Sequence, residues 1–529
     1  MSAVDRLLDS YLDLRWHFDP AAASAAGVTA ADDKLGRFDA ESMRQHLAAF
    51  HAVAAAVEDL EVEELEEEID RTALLDDIRT VTARFEQERP QVHDPGFWLE
   101  HLTQAFSALV LRGATTAAMG GASSGPPGEV ARAAAERMRA VPEFLESARG
   151  TLRRPPVILA DRALGLLAPA GELLVHVTTL LGPEAPGGTE GLQQATGEAL
   201  QALKRFGTAL RDTIEPNAEP TAAALGEERF DRRIHHEHAL REGATELWRA
   251  AERERAALEA RLTSAAAAIA PGRPWREVVV QCYEERYTQA VAPLQEAIAR
   301  MSERVAATGA IVPPAAPLEV IETHAVFASL LREPTYLPAN AASGTARLIV
   351  GAGLALCEIP GLAAREAVPG RHLHATARAQ APTAVRRALA APATVEGWSL
   401  YAEQLVDELE LFETPEAQLV SLARRLEAVA LLAVDVGLHA RGLSPADAAR
   451  LLTDWIPTGR DRAELVIRRA AAHPGRLLAA EAGRRELVRI RRMAEAGPER
   501  IAALRGFHEG VLAHGGLAPG LTAWGMGLA

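Results

Sequence analysis

The chain has 529 residues, 48% of them hydrophobic and 24% charged, which is typical of a globular protein with an extensive core. Its net charge of −16 argues against a nucleic acid or an anionic membrane surface as the main partner. The two cysteines, Cys282 and Cys357, exclude a disulfide-rich scaffold and a Cys-rich zinc site, and they fit a reducing compartment.

The N-terminal residues are not predicted to form a signal or an anchor. They carry acidic side chains and lack an apolar signal core. No apolar run reaches about 18 residues, and the apolar residues 348–357 end at Glu358 and Pro360. We therefore expect no membrane-spanning helix, no membrane partner and a cytoplasmic location.

Helices are predicted along most of the chain. The strong helix formers Ala, Leu, Arg and Glu dominate, and apolar residues recur at helical spacing in residues 47–60, 131–145, 192–210 and 419–436. Residues 113–128 are rich in Gly, Ser and Pro, which favours a loop over a close-packed helix. No period of 34 or 40 residues is visible, so a helical repeat array is disfavoured.

One strand candidate, residues 347–350, follows a turn-rich segment at 333–344. The sequence therefore predicts an all-α fold with at most a small hairpin or sheet near residues 345–350. We expect one continuous helical scaffold with a deep cleft between two halves. The N-terminal half would be residues 1–310, and the C-terminal half, residues 311–529, would carry the motifs described next.

Residues 365–374, REAVPGRHLH, resemble a zinc-peptidase motif in which metal-binding histidines are partly replaced. On a helix, positions seven apart share a face, although the Pro-Gly pair is expected to kink or interrupt this helix. Arginine stays protonated and has only donors, so Arg365 and Arg371 are unable to bind a metal ion. Glu366 keeps the position of a general base that would activate metal-bound water, and His372 keeps one histidine position.

A second motif, EGWSLYAE, follows at residues 396–403. Its carboxylates, Glu396 and Glu403, are seven residues apart and lie on one helical face. Glu396 follows His372 by 24 residues (396 − 372), and helical zinc peptidases commonly take a third ligand, a Glu, from a second helix at about that separation. The spacing therefore predicts that Glu366, His372, Glu396 and Glu403 converge in one cleft.

Together the two motifs resemble the bacterial "domain of unknown function 885" family, whose members are regarded as helical, metallopeptidase-like proteins. The family carries HEAxPGHHLQ where this chain has REAVPGRHLH, and EGWALYAE where it has EGWSLYAE. The resemblance implies a metallopeptidase-like scaffold. It covers essentially the whole chain and includes residues 11–39, 141–156, 434–448, 473–483 and 507–508.

The departures from the family pattern concern metal chemistry. Arg365 and Arg371 stand where the family has histidines, and His374 stands where it has Gln. Near its end the chain also lacks the two tyrosines and the glutamine of the family's RY and PGQALxY motifs. In related peptidases a late Tyr commonly stabilises the oxyanion of the tetrahedral intermediate. The resemblance therefore implies that zinc proteolysis has been lost.

No metal ion or other cofactor is expected. If zinc binds, its ligands are predicted to be His372, Glu396 and Glu403, because His374 lies about 200° around a helix from His372. His372 and Glu396 alone make a poor site, since catalytic zinc normally has three protein ligands. The neighbouring guanidinium groups also repel a divalent cation.

Three functions stay open. The first is a metal-independent enzyme, in which Glu366 and His372 form an acid–base pair and Arg365 and Arg371 hold an anionic group of a small or peptide-like molecule. The second is a catalytically silent binding protein, in which the arginines pair with the motif glutamates and fill the former metal site. The third is a metal-dependent amide or ester hydrolase with the altered ligand set. The sequence ranks them in this order.

Other residues are candidates for ligand contacts. Tyr401 is a candidate for stacking on a ligand, and the alternative interpretation is that it packs in the core. Asp435 and His439, four residues apart, predict an Asp–His hydrogen bond that is either functional or structural. Residues 235–238, HHEH, are interpreted as a solvated polar face. The full set of ligand-binding candidates is Arg365, Arg371, His374, Tyr401, Glu403 and His439.

Overall fold

The structure, a computed structural model, describes residues 2–117, 127–214, 217, 223–323, 334–339, 345–351, 353–495 and 500–528. The fold is mainly helical, with one small sheet, as the sequence predicts. The helices are α1 (Ala3–Phe18), α2 (Pro20–Ala25), α3 (Ala40–Glu58), α4 (Leu65–Ala83), α5 (Pro90–His93), α6 (Pro95–Ala117), α7 (Pro127–Thr151), α8 (Val157–Leu181), α9 (Gly188–Ala209), α10 (Glu227–His238), α11 (Ala244–Ile269), α12 (Trp275–Cys282), α13 (Val291–Thr308), α14 (Ile359–Leu362), α15 (Arg371–Ala379), α16 (Ala384–Ala388), α17 (Pro392–Glu408), α18 (Pro415–Ala440), α19 (Pro445–Trp455), α20 (Arg460–Ala472), α21 (Ala479–Ala494), α22 (Arg500–Ala513) and α23 (Pro519–Gly525).

The chain divides into two compact units built from discontinuous segments. Unit 1 comprises Met1–Leu60, Val81–Ala223 and Ala339–Gly344, and unit 2 comprises the remaining segments, Glu61–Thr80, Ala224–Pro338 and Thr345–Ala529. The boundary expected near residue 310 lies inside unit 2, between α13 and the first strand. Both sequence motifs also lie inside unit 2.

Unit 1 is a helical bundle with an aromatic core. Phe18, Phe38 and Trp98 are buried there, and the ring of Phe38 meets that of Trp98 edge to face at 5.7 Å. The buried Arg137 donates to the backbone carbonyls of Lys34 and Ala31, so its charge has hydrogen-bond partners inside the core. Helix pairs α6–α8 and α7–α9 pack closely within this unit.

One helix of unit 1 bears on the expectation that the chain has no membrane-spanning helix. By length and composition alone, Val157–Glu184 is apolar enough to cross a membrane, with a mean hydropathy of 1.6. Core helices of water-soluble proteins have the same character, and this helix packs against α6 and α9. The expectation counted uninterrupted apolar runs, whereas this helix contains isolated polar residues; length and composition alone do not decide between a membrane span and a core helix, so the expectation stays a prediction.

The loop expected at residues 113–128 is only partly described. Residues 113–117 are helical and form the end of α6, so the loop prediction is wrong for them. Residues 118–126 lie outside the described residues, and α7 begins at Pro127.

Unit 2 contains the sheet and the motif helices. Strands β1 (Leu318–Glu322) and β3 (Ala346–Val350) run parallel, and β2 (Thr335–Leu337) pairs with β3 in antiparallel fashion, giving the order β1-β3-β2. The strand predicted at residues 347–350 is confirmed. Leu348 and Val350, which point to the same face of this strand, pack into the core of the unit.

Helix starts in unit 2 follow the sequence. α17, α18 and α19 each begin with proline at the first helical position, where a missing N–H costs nothing. Side chains of Thr414 and Ser444 accept backbone N–H groups at the starts of α18 and α19. These signals fix the start of the helix that carries the second motif and of the two that follow it.

The helix with the second motif lies against α21 at a glycine contact. A Cβ atom built on Gly397 would lie 2.6 Å from the backbone of Gly483, so only glycine lets the two helices approach this closely. Trp398, next to Gly397, is fully buried. This contact holds α17, and therefore Glu396 and Glu403, in a fixed position in the core of unit 2.

Candidate functional site: an arginine–glutamate network

The first motif does not form one helix. After α14 the backbone widens into a π-helical turn, Ala363–Ala367, then passes through a cis Val368–Pro369 bond before α15 begins at Arg371. A Cβ atom on Gly370 would lie 1.9 Å from the Arg365 carbonyl oxygen, so the turn requires glycine. The interruption predicted at Pro369-Gly370 is confirmed, whereas a single helical face shared by positions 365 and 372 is wrong.

Hydrogen bonds from the second motif hold this turn. The indole Nε1 of Trp398 donates to the carbonyls of Pro369 and Gly370, at 2.9 and 3.2 Å. The hydroxyl of Ser399 donates to the Arg365 carbonyl at 2.8 Å. The two motifs are therefore joined through the backbone as well as through charged side chains.

Arg371 is the centre of the charged network. Its Nη2 donates to Glu396 Oε2 at 2.7 Å, and Nη1 reaches the other carboxylate oxygen at 3.5 Å, so the pair is two-pronged. Its Nε lies 2.9 Å from Glu366 Oε2. Burial lowers the pKa of Arg371, but the carboxylates of Glu366 and Glu396 outweigh burial and raise it above its usual value.

Glu396 is held ionised by the same contacts. Burial raises its pKa, yet Arg371 and the guanidinium of Arg476, 3.7 Å from Oε1, lower it below the usual value of 4.5. The exposed Arg469 adds to this effect. Glu396 thus serves as the counter-ion of two or more arginines.

Arg365 binds the other two motif glutamates. Its Nη1 lies 3.5 Å from Glu403 Oε2, and its Nε lies 3.7 Å from Glu366 Oε1. The Glu403 side chain is only 1% exposed, and Arg424 lies close enough for the Glu403 charge to help raise the pKa of Arg424. A Cβ atom on Gly361 would lie 2.6 Å from Glu403 Oε1, so this glycine makes room for the carboxylate.

His372 points away from the glutamates. Its Nε2 lies 2.9 Å from the Ala316 carbonyl, and its Nδ1 lies 3.0 Å from the hydroxyl of Tyr336 on β2. Because a carbonyl only accepts, Nε2 carries the proton and Nδ1 accepts from the tyrosine. Burial lowers the pKa of His372, which keeps this neutral form. Both ring nitrogens are therefore engaged.

Two of the proposed ligand-binding residues lie in the interior. His374 Nε2 donates to the Gly515 carbonyl at 3.0 Å, and burial, with Arg378 nearby, lowers the pKa of His374 to about 4. Tyr401 is fully buried; its hydroxyl lies 2.8 Å from His508 Nε2 and accepts from Arg491. Burial raises the pKa of Tyr401. The structure places both residues in the core, as the alternative interpretation of Tyr401 expects.

The Asp435–His439 pair also has a different arrangement from the expected one. His439 Nε2 donates to the Ala470 carbonyl at 3.0 Å and lies 3.8 Å from Asp435 Oδ1, which is longer than a hydrogen bond. Asp435 instead accepts the backbone N–H groups of Gly475 and Leu478. Burial raises the pKa of Asp435 to about 7. The two backbone hydrogen bonds of Asp435 hold the turn before α21.

The HHEH segment is not a solvated face throughout. His238 is fully buried and donates from Nε2 to the Gly475 carbonyl at 2.9 Å. His236 Nδ1 lies 2.9 Å from Asp76 Oδ1 on α4. Tertiary packing explains the difference, because His236 and His238 each meet a partner far away in the sequence.

The donor set does not make a metal centre. Within the described parts of the chain, no three His, Cys, Asp or Glu side chains are grouped so that they could hold a metal ion. The suggested set of His372, Glu396 and Glu403 is divided, since His372 faces Ala316 and Tyr336 and the glutamates face arginines. An open cavity of 760 Å³ in unit 2 is lined by parts of α12 and residues 453–459, and neither motif contributes to it.

Sequence reasoning missed three residues of the site. Tyr336 comes from the short strand β2, and Arg476 comes from the turn before α21. Arg378 lies on α15, seven residues after Arg371. The seven-residue spacing was a usable signal for Arg378, whereas nothing local in the sequence places Tyr336 or Arg476 next to the motifs.

The fold and the site together define a large, mainly helical protein in which arginine–glutamate ion pairs join two motif segments. The chain belongs to the family described as "Bacterial protein of unknown function (DUF885)", which matches residues 20–522. A comparison with curated proteins finds no match.

Two solved structures are similar over their full length. One is described as "a putative lipoprotein of unknown function" from Shewanella oneidensis, with a TM-score of 0.80, 18% identity, and 100% of each chain covered. The other is described as "the putative lipoprotein from Colwellia psychrerythraea", with a TM-score of 0.82, 15% identity, and 100% of this chain and 99% of that chain covered. At these identities the likeness concerns the fold.

Proposed function

We propose that this protein is a metal-independent, catalytically silent binding protein on a metallopeptidase-like scaffold. The observation that carries the proposal is that Glu366, Glu396 and Glu403 are all paired with arginines, through Arg365 and Arg371. In this proposal the arginine–glutamate network takes the place that the zinc-peptidase resemblance of the motifs assigns to a metal ion. This order reverses the sequence-based ranking, in which a metal-independent enzyme came first.

A general base is the first requirement that the site does not meet. Glu366 is the candidate, but both carboxylate oxygens face guanidinium groups, at 3.7 and 2.9 Å. Its side chain is only 10% exposed. Each carboxylate oxygen of Glu366 therefore lies next to a guanidinium group instead of facing a substrate. His372 is not a substitute, since its two ring nitrogens already have partners.

A metal ligand set is the second requirement. Zinc would have to displace Arg371 from Glu396 and turn His372 away from Ala316 and Tyr336. The guanidinium groups would remain and would repel the ion. The metal-dependent hydrolase therefore ranks third among the three functions.

The ligand of the binding protein is proposed to be a small or peptide-like molecule with an anionic group. The two motif arginines are balanced by three glutamates, whereas Arg378, Arg469 and Arg476 add positive charge around the motifs of a strongly negative chain. This added positive charge favours an anion and disfavours a cation. Neither a nucleic acid nor a membrane is proposed as the main partner.

The cytoplasmic location stays a prediction with observations on both sides. Cys282 and Cys357 lie side by side as free thiols, with Cys357 Sγ donating to the Cys282 carbonyl at 3.1 Å, which is consistent with a reducing compartment. The two similar structures are described as putative lipoproteins, which favours a membrane-anchored location outside the cytoplasm. Cell fractionation with an antibody decides between them: protein in the membrane fraction contradicts the prediction.

The test of the proposed function is a comparison of wild type with Glu366→Gln. Both proteins are incubated with a mixed library of peptides and model esters, with and without added zinc, and products are followed by mass spectrometry. We expect no turnover above the heat-denatured control for either protein. Turnover by wild type that Glu366→Gln abolishes would establish the enzyme and reject the binding protein.

A further inference from the structure

The two cysteines of the chain, 75 residues apart in the sequence, meet in unit 2. Cys282 is the last residue of α12, and Cys357 lies in a one-turn helix, Leu356–Glu358, just before α14. The Cys357 thiol donates to the Cys282 carbonyl, with 3.1 Å between Sγ and the oxygen. Because that oxygen is only two bonds from Cα, Cys357 Sγ lies within about 6 Å of the Cα atom of Cys282.

Backbone pairing holds the two cysteine segments together. Arg286 and Ala355 form an antiparallel β-bridge. Beside it, the N–H of Leu356 donates to the Glu285 carbonyl at 2.9 Å. The nearness of the cysteines therefore comes from the fold of the backbone and not from the thiol hydrogen bond alone.

The two thiols also share an apolar environment. Cys357 is buried in a small cluster with Ala355 and Val420, and the half-buried Cys282 packs against this cluster. The cluster is separate from the larger core of unit 2 that contains Trp398 of the second motif. The cysteine pair is therefore a feature distinct from the arginine–glutamate network.

We propose that Cys282 and Cys357 are a redox modification site, at which an intramolecular disulfide forms when the protein meets a disulfide oxidant. Disulfides join residues whose Cα atoms are about 4.4–6.8 Å apart. With Cys357 Sγ already next to the Cys282 backbone, rotation of the side chains is the main movement that remains. The bond would close a loop that contains α13 and all three strands. This site is independent of the proposed binding function.

The reaction is a thiol–disulfide exchange with oxidised glutathione as the oxidant. The thiolate of Cys282, the less buried of the two, attacks one sulfur of the oxidant, forms a mixed disulfide and releases one glutathione thiolate. The Cys357 thiolate then attacks the Cys282 sulfur and releases the second glutathione. The protein loses two protons and two electrons, and the oxidant is reduced to two thiols.

Burial sets the rate of this exchange. It raises the pKa of both thiols, that of Cys357 to about 12, and so keeps the thiolate fraction of each low at neutral pH. Since the thiolate is the reacting form, oxidation should be faster at pH 9 than at pH 7.

Incubation of the full-length protein with oxidised glutathione, followed by alkylation and mass spectrometry, tests the site. We expect wild type to lose two hydrogen atoms and to yield two peptides joined through Cys282 and Cys357, and dithiothreitol to restore both thiols. The matched variants separate the two steps. Cys357→Ser should stop at a glutathione adduct on Cys282, whereas Cys282→Ser should keep its buried thiol.

The effective concentration of the second thiol distinguishes a site built by the fold from a chance encounter. It is obtained from the ratio of bridged protein to mixed disulfide at several glutathione concentrations. We expect a value at least about tenfold higher for folded wild type than for the same chain in urea. This comparison needs the wild type alone, so it holds even if a serine variant does not fold.

Four results would overturn the proposal. They are retention of both thiols in wild type, a glutathione adduct as its end product, a bond between two chains, and equal effective concentrations with and without urea.

Discussion

Replacement of Arg371 by Gln would remove the cation shared by Glu366 and Glu396. In the wild type Arg371 lies 2.9 Å from one carboxylate and 2.7 Å from the other. The shorter glutamine side chain carries no charge, so both glutamates lose their nearest counter-ion. Arg365 remains 3.7 Å from Glu366, and Arg476 remains 3.7 Å from Glu396.

The expected loss of stability follows from burial. Removing one partner of a buried ion pair typically costs about 3–5 kcal/mol. The side chains here are 22% exposed for Arg371, 10% for Glu366 and 31% for Glu396, and each carboxylate keeps one more distant arginine. We therefore expect Arg371→Gln to lower the free energy of unfolding by about 2–4 kcal/mol at pH 7.

The pH dependence has a defined direction. The pKa of Glu396 is lowered in the fold, so its contribution to stability is complete above about pH 4.5 and is lost as the pH falls through the folded value. Arg371→Gln removes most of this contribution. The difference in stability between wild type and variant should therefore be largest at neutral pH and should shrink below pH 4.5.

Urea unfolding at pH 7 and at pH 4, followed by circular dichroism, measures the effect. Arg476→Gln is the control, because its guanidinium is 45% exposed and its contact with Glu396 is long, and it should cost no more than about 1 kcal/mol. Adding Glu366→Gln to Arg371→Gln should recover part of the loss, since it removes a carboxylate that has lost its nearer counter-ion. A change below about 0.5 kcal/mol for Arg371→Gln would refute a buried network.

Three further predictions concern other parts of unit 2. Gly397→Ala should cost about 1–3 kcal/mol because its Cβ would meet the Gly483 backbone, whereas Gly165→Ala, with open space around it, should be neutral or stabilising; thermal unfolding compares them. Tyr336→Phe should cost about 0.5–1.5 kcal/mol, and nitrogen NMR should still show the proton of His372 on Nε2. The pKa of His374 near 4 means that stability falls as the pH drops from about 6.5 to 4, and His374→Gln should reduce that loss in urea unfolding.

Helical content could be predicted because it depends on local sequence. The segments with helical spacing at residues 131–145 and 419–436 lie within α7 and α18, and the strand at 347–350 forms as expected. The convergence of Glu366, Glu396 and Glu403 on the two arginines also followed from the motifs. The spacing of charged residues within and between the motifs was therefore enough to predict that these glutamates lie close together.

Contacts between distant segments could not be predicted in the same way. His372 was expected to face the glutamates, yet its partners are Ala316 and Tyr336, which lie 56 and 36 residues earlier in the chain. α14 and α15 are separate helices with a π-helical turn and residues 368–370 between them, so a helical wheel drawn through both does not apply. His374 likewise has a distant partner, because its Nε2 donates to the carbonyl of Gly515 in the interior.

The choice between a binding protein and an enzyme depended on the distances between the arginine and glutamate side chains of the motifs. The residues alone left Arg365 and Arg371 equally able to bind a ligand or to pair with glutamates. The structure shows both arginines directed at carboxylates.

Metal content tests the central claim, that fixed positive charge has replaced a metal ion, most directly. The purified protein is incubated with zinc, dialysed and analysed by inductively coupled plasma mass spectrometry, beside an Arg365→His/Arg371→His variant that restores the family's histidines. We expect wild type to retain far less than one zinc ion per chain and the variant to retain more. Stoichiometric zinc in the wild type would contradict the account.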